Sequence, residues 1–318
     1  MSFRYIEVRK TIQHTVTAQE ILDRLERYIE ENDDRPIKLL VSHWKDQENA
    51  ISYGEVKDAI LNGSDGEEFM KEWTDDYTRF VRDKLTKVWT DAEMAGSYGQ
   101  PMMDSIRQQL TFDMNSSTMQ EWISERGGSF ITSVTEQQQE AVRSLLRQAV
   151  YEKYSPDELS KLIRPCVGLT EPQSRAVLRY YDTLKSTMRE QHPRMLQSNL
   201  EERCRSKAMS YAGRLHRDRA KMIAQTEMSF AYNHGMHEST RQAMQQGLIG
   251  TVEKRWVTST NENVCPVCEA LNGTQIGFDA SFDFGKHRHL FDGQEECPPA
   301  HPRCACVVEY IEVAPPKF

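Results

Sequence analysis

The sequence predicts an α+β protein: mostly helical over its N-terminal two-thirds, with a small C-terminal α/β domain in which a zinc-knuckle-like Cys/His cluster lies between two strands. Three observations predict this. Apolar residues recur at three- and four-residue spacing through most of residues 17–247. Two runs rich in β-branched and aromatic residues, 252–260 and 307–313, break that period and read as strands. Five of the seven cysteines fall between those runs, from Cys265 to Cys306.

Composition narrows the class. The chain has 318 residues, 38% hydrophobic and 28% charged, which fits a folded, helix-rich protein of one large domain or two to three small ones. A net charge of -8 argues against a protein dedicated to nucleic acid, while leaving room for a local basic face. Residues 1–10 carry charge throughout and do not read as a signal peptide. No apolar run approaches the roughly 18 residues of a membrane helix, so no membrane is expected and a cytoplasm is. There, seven cysteines are a poor basis for a disulfide framework.

Residues 1–115 read as an N-terminal helical region. Thr17 and Glu20 have capping-box spacing ahead of an apolar stripe at Ile21, Leu22, Leu25 and Ile29. Residues 62–66 form a turn cluster. Phe69, Trp73, Tyr77, Phe80, Val81, Leu85 and Val88 then predict one long amphipathic helix. Its aromatic face either packs in the core or docks a partner. Residues 96–101 predict a loop, and Gly127-Gly128 a second break.

Residues 116–190 read as a compact helical middle region, with helix starts expected at Thr135, at Ser155 ahead of Pro156, and at Thr170 ahead of Pro172. Residues 191–318 form the third region, opening with a helix over 196–247 that stops at Gly247.

The strongest chemical signal pairs Cys265 and Cys268 with His301, Cys304 and Cys306. A two-residue gap lets two thiolates from one tight turn reach one ion. Cys304 and Cys306, two apart in extended chain, point to one face. A tetrahedral structural zinc held by Cys265, Cys268, Cys304 and Cys306 is the first reading, with His301 replacing either of the last two. Cys297, His287 and His289 are weaker candidates. The alternatives are metal-free thiols, a redox dithiol at Cys265/Cys268, or a catalytic zinc with three ligands and a bound water.

A second signal is cationic. Residues 201–221 hold seven basic and three acidic side chains. At about 100° per residue, Arg203, Lys207, Arg214, Arg217 and Lys221 share one arc, opposite a seam of Cys204, Ala208, Tyr211, Leu215 and Met222. The arc is either a solvated face or a contact for DNA phosphates or an acidic partner. It carries nothing that reads bases. A third signal is Thr226 and Glu227, followed by Asn233. Such a polar trio inside a long helix needs partners if buried, and Thr226 and Glu227 by themselves read as a surface pair or a local cap.

In this order the pieces resemble the phage Mu F-like head-morphogenesis family of tailed-phage minor head proteins. The resemblance is carried by residues 219–227 with Asn233 and Gly235, Arg255-Trp256, Cys265 to Cys268, Leu271-Asn272-Gly273 and residues 298–306, with 167–173 upstream. The sequence departs from the family pattern at Ala305, where an arginine is usual, and in the insert bearing His287 and His289. The resemblance implies a structural virion protein at the portal vertex or capsid interior. It would act with portal, capsid and scaffold proteins in procapsid assembly and in handling packaged double-stranded DNA. The expectation is no enzymatic activity and no catalytic residues. The alternative is an ADP-ribosyltransferase-like or toxin-related module using Glu227.

Overall fold

The computed structural model describes residues 14–151, 154–259, 264–285 and 297–316. The helices are α1 (Val16–Asn32), α2 (Asp34–Ala50), α3 (Tyr53–Asn62), α4 (Glu67–Met70), α5 (Trp73–Phe80), α6 (Thr86–Gly96), α7 (Asp104–Gln109), α8 (Ser117–Tyr151), α9 (Pro156–Ile163), α10 (Glu171–Gln191) and α11 (Gln197–Gln245). They are followed by β1 (Thr251–Val257), α12 (Pro266–Leu271), β2 (Gln275–Gly277) and β3 (Val307–Ala314). The α+β expectation holds, and β2 adds a third strand that the sequence pattern did not reveal. No described helix is long and apolar enough to cross a membrane.

The chain forms two compact units, each assembled from separated stretches. One contains residues 32–88 and 117–224 and is entirely helical. Its core joins α3, α5, α8, α9, α10 and the first half of α11 through residues such as Val56, Trp73, Val142, Leu162, Val177 and Ala208. A buried polar chain runs through the same unit. The Trp44 indole N–H donates to Tyr77 Oη at 2.8 Å, Tyr77 donates to Gln138 Oε1 at 2.6 Å, and Gln138 donates to Gln47 Oε1 at 3.0 Å. Arg219 is buried and donates from Nη1 to the Gly168 carbonyl at 2.5 Å and from Nη2 to Gln137 Oε1 at 3.0 Å. Gly168 has φ +87°, and a Cβ there would sit 2.4 Å from the Trp44 ring. That accounts for a glycine beside the buried guanidinium.

Three local expectations are corrected here. The helix expected from Phe69 to Val88 is interrupted: α4 ends at Met70, α5 begins at Trp73, and a π turn spans Val81–Leu85. The aromatic face is core, with Trp73, Tyr77, Phe80, Val81, Leu85 and Val88 all buried. The π turn begins at Val81, directly after Phe80, and both residues face inward. Gly127-Gly128 does not break the chain, and Thr135 starts nothing, because both lie inside α8. Each glycine costs that helix about 1 kcal/mol. Burial of Trp122, Phe130, Val134, Val142 and Leu145 along one face offsets this. The starts at Ser155 and Thr170 are as expected: Ser155 Oγ accepts from the Glu158 N–H at 3.2 Å, and Gln173 Oε1 accepts from the Thr170 N–H at 3.1 Å.

The other unit contains residues 14–31, 89–116 and 225–316. Its three-stranded antiparallel sheet has the order β2-β1-β3. The two strands expected from sequence pair directly, with Lys254 opposite Tyr310 and Trp256 opposite Val308. The core joins Ile21, Leu22 and Leu25 of α1 to Tyr232 and Met236 of α11, Trp256, Val308, and Phe278, Phe282 and Phe284 beyond β2. The cap of α1 is Thr15 and not Thr17: Thr15 Oγ1 accepts from the Ala18 N–H at 3.1 Å. Helices α6 and α11 meet in backbone contact. A Cβ on Gly235 would lie 2.1 Å from the Glu93 carbonyl oxygen, and one on Gly96 would lie 2.0 Å from that of Tyr232. Helix α11 ends ahead of Gly247, as the sequence predicts.

Candidate metal centre

Two segments bring the cysteine cluster together. Cys265 caps α12, its Sγ accepting the Cys268 N–H at 3.3 Å. The sheet holds α12 in place: Thr258 donates its hydroxyl to the Cys268 carbonyl at 2.8 Å, and Asn272 Oδ1 accepts the Thr258 N–H at 3.1 Å. On the far side, the chain turns at Arg303, whose φ is +63°, and runs extended through Cys304 and Cys306 into β3. All seven cysteines are free thiols.

The expected ligands converge. Cys268 Sγ lies 3.7 Å from Cys304 Sγ and 3.4 Å from His301 Nε2, while Cys265 Sγ lies 2.9 Å from that nitrogen. A tetrahedral ion with Zn–S near 2.3 Å and Zn–N near 2.0 Å separates its ligand sulfurs by about 3.8 Å and a sulfur from a nitrogen by about 3.5 Å. The two Cys268 distances therefore match edges of a coordination tetrahedron, the Cys265–His301 distance is shorter than such an edge, and the sulfur–sulfur separation is far too long for a disulfide. His301 Nδ1 faces the Pro302 carbonyl oxygen at 2.9 Å. A carbonyl only accepts, so Nδ1 carries the proton and Nε2 keeps its lone pair toward the sulfurs. The donor chemistry fits a thiophilic divalent ion. Cys268, Cys304 and Cys306 are buried, and Cys265 and His301 are half-buried beside a cavity of about 440 Å³. Hydrogen bonds from Cys268 and Cys306 favour the thiolate of Cys304, and Cys268 is held protonated by its hydrogen bonds with Cys304 and Cys306 and by burial.

Cys297 is buried but belongs to neither group of converging donors among the described residues, and His287 and His289 lie outside the described residues. Cys166 and Cys204 are core residues of the all-helical unit.

The polar residues of α11 explain the second half of the cluster. Thr226 Oγ1 accepts the Arg303 N–H at 3.1 Å, which braces the left-handed turn just before Cys304. Ser229 donates to the Cys304 carbonyl, and Asn233 Nδ2 donates to the Cys306 carbonyl, both at 3.5 Å. At about 100° per residue these three share one face of α11. Thr226 and Glu227 are thus not a surface pair, since both are buried with partners, as is Asn233. Glu227 points elsewhere: it is buried, and its Oε2 accepts the Trp89 indole N–H at 3.1 Å.

Sequence reasoning missed Ser229 and a second polar face of α11. His234 Nδ1 lies 2.9 Å from Glu93 Oε1 on α6. Glu238 accepts from Arg241 at 2.9 Å and from Gln242 at 3.1 Å. Arg241 donates to His237 Nε2 at 3.1 Å, so His237 Nδ1 donates to Tyr310 Oη at 2.8 Å. Burial pushes the Glu93 carboxyl up to about 8 and His234 down to about 3, so Glu93 and His234 form a neutral pair near pH 7. The missed signal is the recurrence of polar residues at seven-, four- and three-residue steps, 227, 234, 238 and 241, along a helix already committed to core.

Arg203, Lys207, Arg214, Arg217 and Lys221 are all exposed on the other half of α11, within the all-helical unit. The opposing seam is inward, with Cys204 and Ala208 buried.

Among curated proteins and among solved structures nothing matches the chain. Residues 181–309 match the family model described as Phage Mu protein F like protein, under half of the chain but including both halves of the cysteine cluster and the α11 residues that brace it. The resemblance drawn from the motifs therefore holds over this stretch: this chain carries a Phage Mu protein F-like segment.

Proposed function

We propose that the chain is a minor capsid or head-morphogenesis protein of a tailed phage, acting in procapsid assembly near the portal, with a structural zinc at the cysteine cluster and no catalytic role. The observation that carries this reading is where the motif residues of the matched segment point. Thr226 and Asn233 bind the backbone around Cys304 and Cys306, and Glu227 binds an indole. These are framework uses of polar side chains. Glu227 is buried with its Oε2 on the Trp89 indole N–H, which disfavours a transferase that employs it as a catalytic carboxylate. Zinc at Cys265, Cys268, Cys304, Cys306 and His301 would fasten α12 to the start of β3 and contribute on the order of 10 kcal/mol to folding.

The cationic face is the second functional element. Arg203 to Lys221 spans about 27 Å of helix at 1.5 Å per residue, a length suited to several backbone phosphates of packaged double-stranded DNA or to an acidic strip on portal, capsid or scaffold proteins. The protein would then reside in the virion, at the portal vertex or inside the shell, after assembly in the host cytoplasm.

The deciding experiment is mass spectrometry of purified virions together with co-assembly of the chain and portal protein. Presence in the particle and portal-dependent incorporation are expected. Absence from virions would overturn the assignment, and incorporation of label from labelled NAD would overturn its non-enzymatic part.

A further inference from the structure

The five donors do not form one coordination group. Among the described residues they fall into two groups, each with every donor atom within 4.8 Å of the others: Cys265, Cys268 and His301 in one, and Cys268, Cys304 and Cys306 in the other. No set of four meets that separation, and Cys268 alone is common to both. A single tetrahedral ion needs four donors at mutual distances below about 4 Å. It would have to abandon one donor and draw the rest inward.

We infer that the cluster holds two divalent ions that share the Cys268 thiolate, one on Cys265 and His301, the other on Cys304 and Cys306. This rests on the reading of the cluster as a metal centre. A thiolate bound to one ion keeps lone pairs for a second, so a bridging sulfur is ordinary coordination chemistry. Charge favours the arrangement. Four thiolates and one neutral imidazole carry four negative charges, which two divalent cations balance and one does not. Leaving buried thiolates uncompensated at Cys268, Cys304 and Cys306 is costly away from water. Each ion then has three protein donors, and the adjoining cavity of about 440 Å³, lined by Thr258, Ser259 and the donors themselves, has room for a further small ligand on each. Loading converts thiols to thiolates and releases their protons to solvent.

The test is elemental zinc analysis of the full chain, loaded with zinc and freed of loosely held metal by a weak chelator. Two zinc ions per chain are expected, released in two steps by a stronger chelator. His301→Ala and Cys306→Ser should each retain one ion, and Cys268→Ser should retain none. One ion per chain in the unaltered protein would overturn the shared-thiolate inference and leave the single-zinc reading standing. No zinc would overturn both. Two ions in the unaltered protein with one or both kept by Cys268→Ser would remove that sulfur as the bridge. The stoichiometry of the unaltered chain decides the main point even if a variant fails to fold.

Discussion

Glu93→Gln should remove from the unit containing α6 and the sheet the loss of stability that a buried carboxyl imposes as pH rises from 6.5 to 8. Glu93 is fully buried, and its Oε1 meets His234 Nδ1 at 2.9 Å. Burial, helped by the charge of Glu238, raises its carboxyl from 4.5 to about 8, so the folded chain holds a proton that the unfolded chain releases. A carboxyl raised on folding stabilises fully below 4.5, and that contribution is lost as pH climbs to about 8. His234 works in the opposite sense. It is lowered by burial to about 3, so its effect appears as pH falls below 6.5, as does that of His237, also lowered by burial. Between 6.5 and 8 Glu93 loses stability as pH rises, while Cys304, its thiolate favoured by hydrogen bonds from Cys268 and Cys306, gains it equally in parent and variant. At roughly 1.4 kcal/mol per pH unit, the loss across that window is about 2 kcal/mol. Gln keeps the size and the hydrogen bond to His234 without the ionisation. Urea unfolding read by hydrogen exchange in peptides from residues 89–110 and 225–245 should show parent and variant diverging by about that amount across the window. Equal pH slopes in both proteins would refute the buried-proton argument.

Three further outcomes follow from the geometry. Thr226→Val removes the acceptor of the Arg303 N–H and leaves a turn donor without its partner, so unfolding free energy should drop by about 1–3 kcal/mol. Zinc affinity, measured by chelator competition, should fall about 10- to 100-fold. Gly235→Ala pushes a methyl to within 2.1 Å of the Glu93 carbonyl oxygen and must part α6 from α11, so a loss of at least about 1–3 kcal/mol is expected in thermal unfolding. Replacing Arg203, Lys207, Arg214, Arg217 and Lys221 by Gln should leave thermal stability nearly unchanged, because all five are exposed. For duplex DNA binding, each cation that meets a phosphate should flatten the plot of log affinity against log salt by about 0.9. A slope unchanged across the series would exclude phosphate contact by this face.

What was legible in the sequence was what obeys a local rule. The strands at 251–257 and 307–314 announce themselves by a change of period, and the starts at Ser155 and Thr170 by caps one turn long. Cys265, Cys268, His301, Cys304 and Cys306 are visible because few uses other than a metal place so many sulfurs so close in sequence. The misreadings share a different cause. Gly127-Gly128 looked like a break because helix propensity is local, while the burial that carries α8 through it comes from distant residues. The aromatic run before Val88 looked continuous because a π turn leaves the apolar spacing almost unaltered. The partners of Thr226 and Asn233 could not be read at all, since they are backbone groups of residues more than 70 positions away.

That last case bears on why Gly235 lies within the same motif. Thr226, Ser229 and Asn233 reach the Cys304–Cys306 backbone from one side of α11, while Glu227, His234 and Glu238 face the other way, His234 meeting Glu93 on α6. A helix carrying two buried polar faces has little room for a conventional apolar stripe, so close backbone approach must supply much of its packing. Gly235 and Gly96 permit that approach, each presenting bare Cα to a carbonyl of the opposite helix. A side chain at either position would move α11 relative to α6 and would draw the Thr226 and Asn233 contacts off the cysteine turn. The glycine and the metal-binding thiols are therefore coupled through a hydrogen-bonded helix face, and Gly235→Ala should weaken zinc binding although position 235 contributes no ligand.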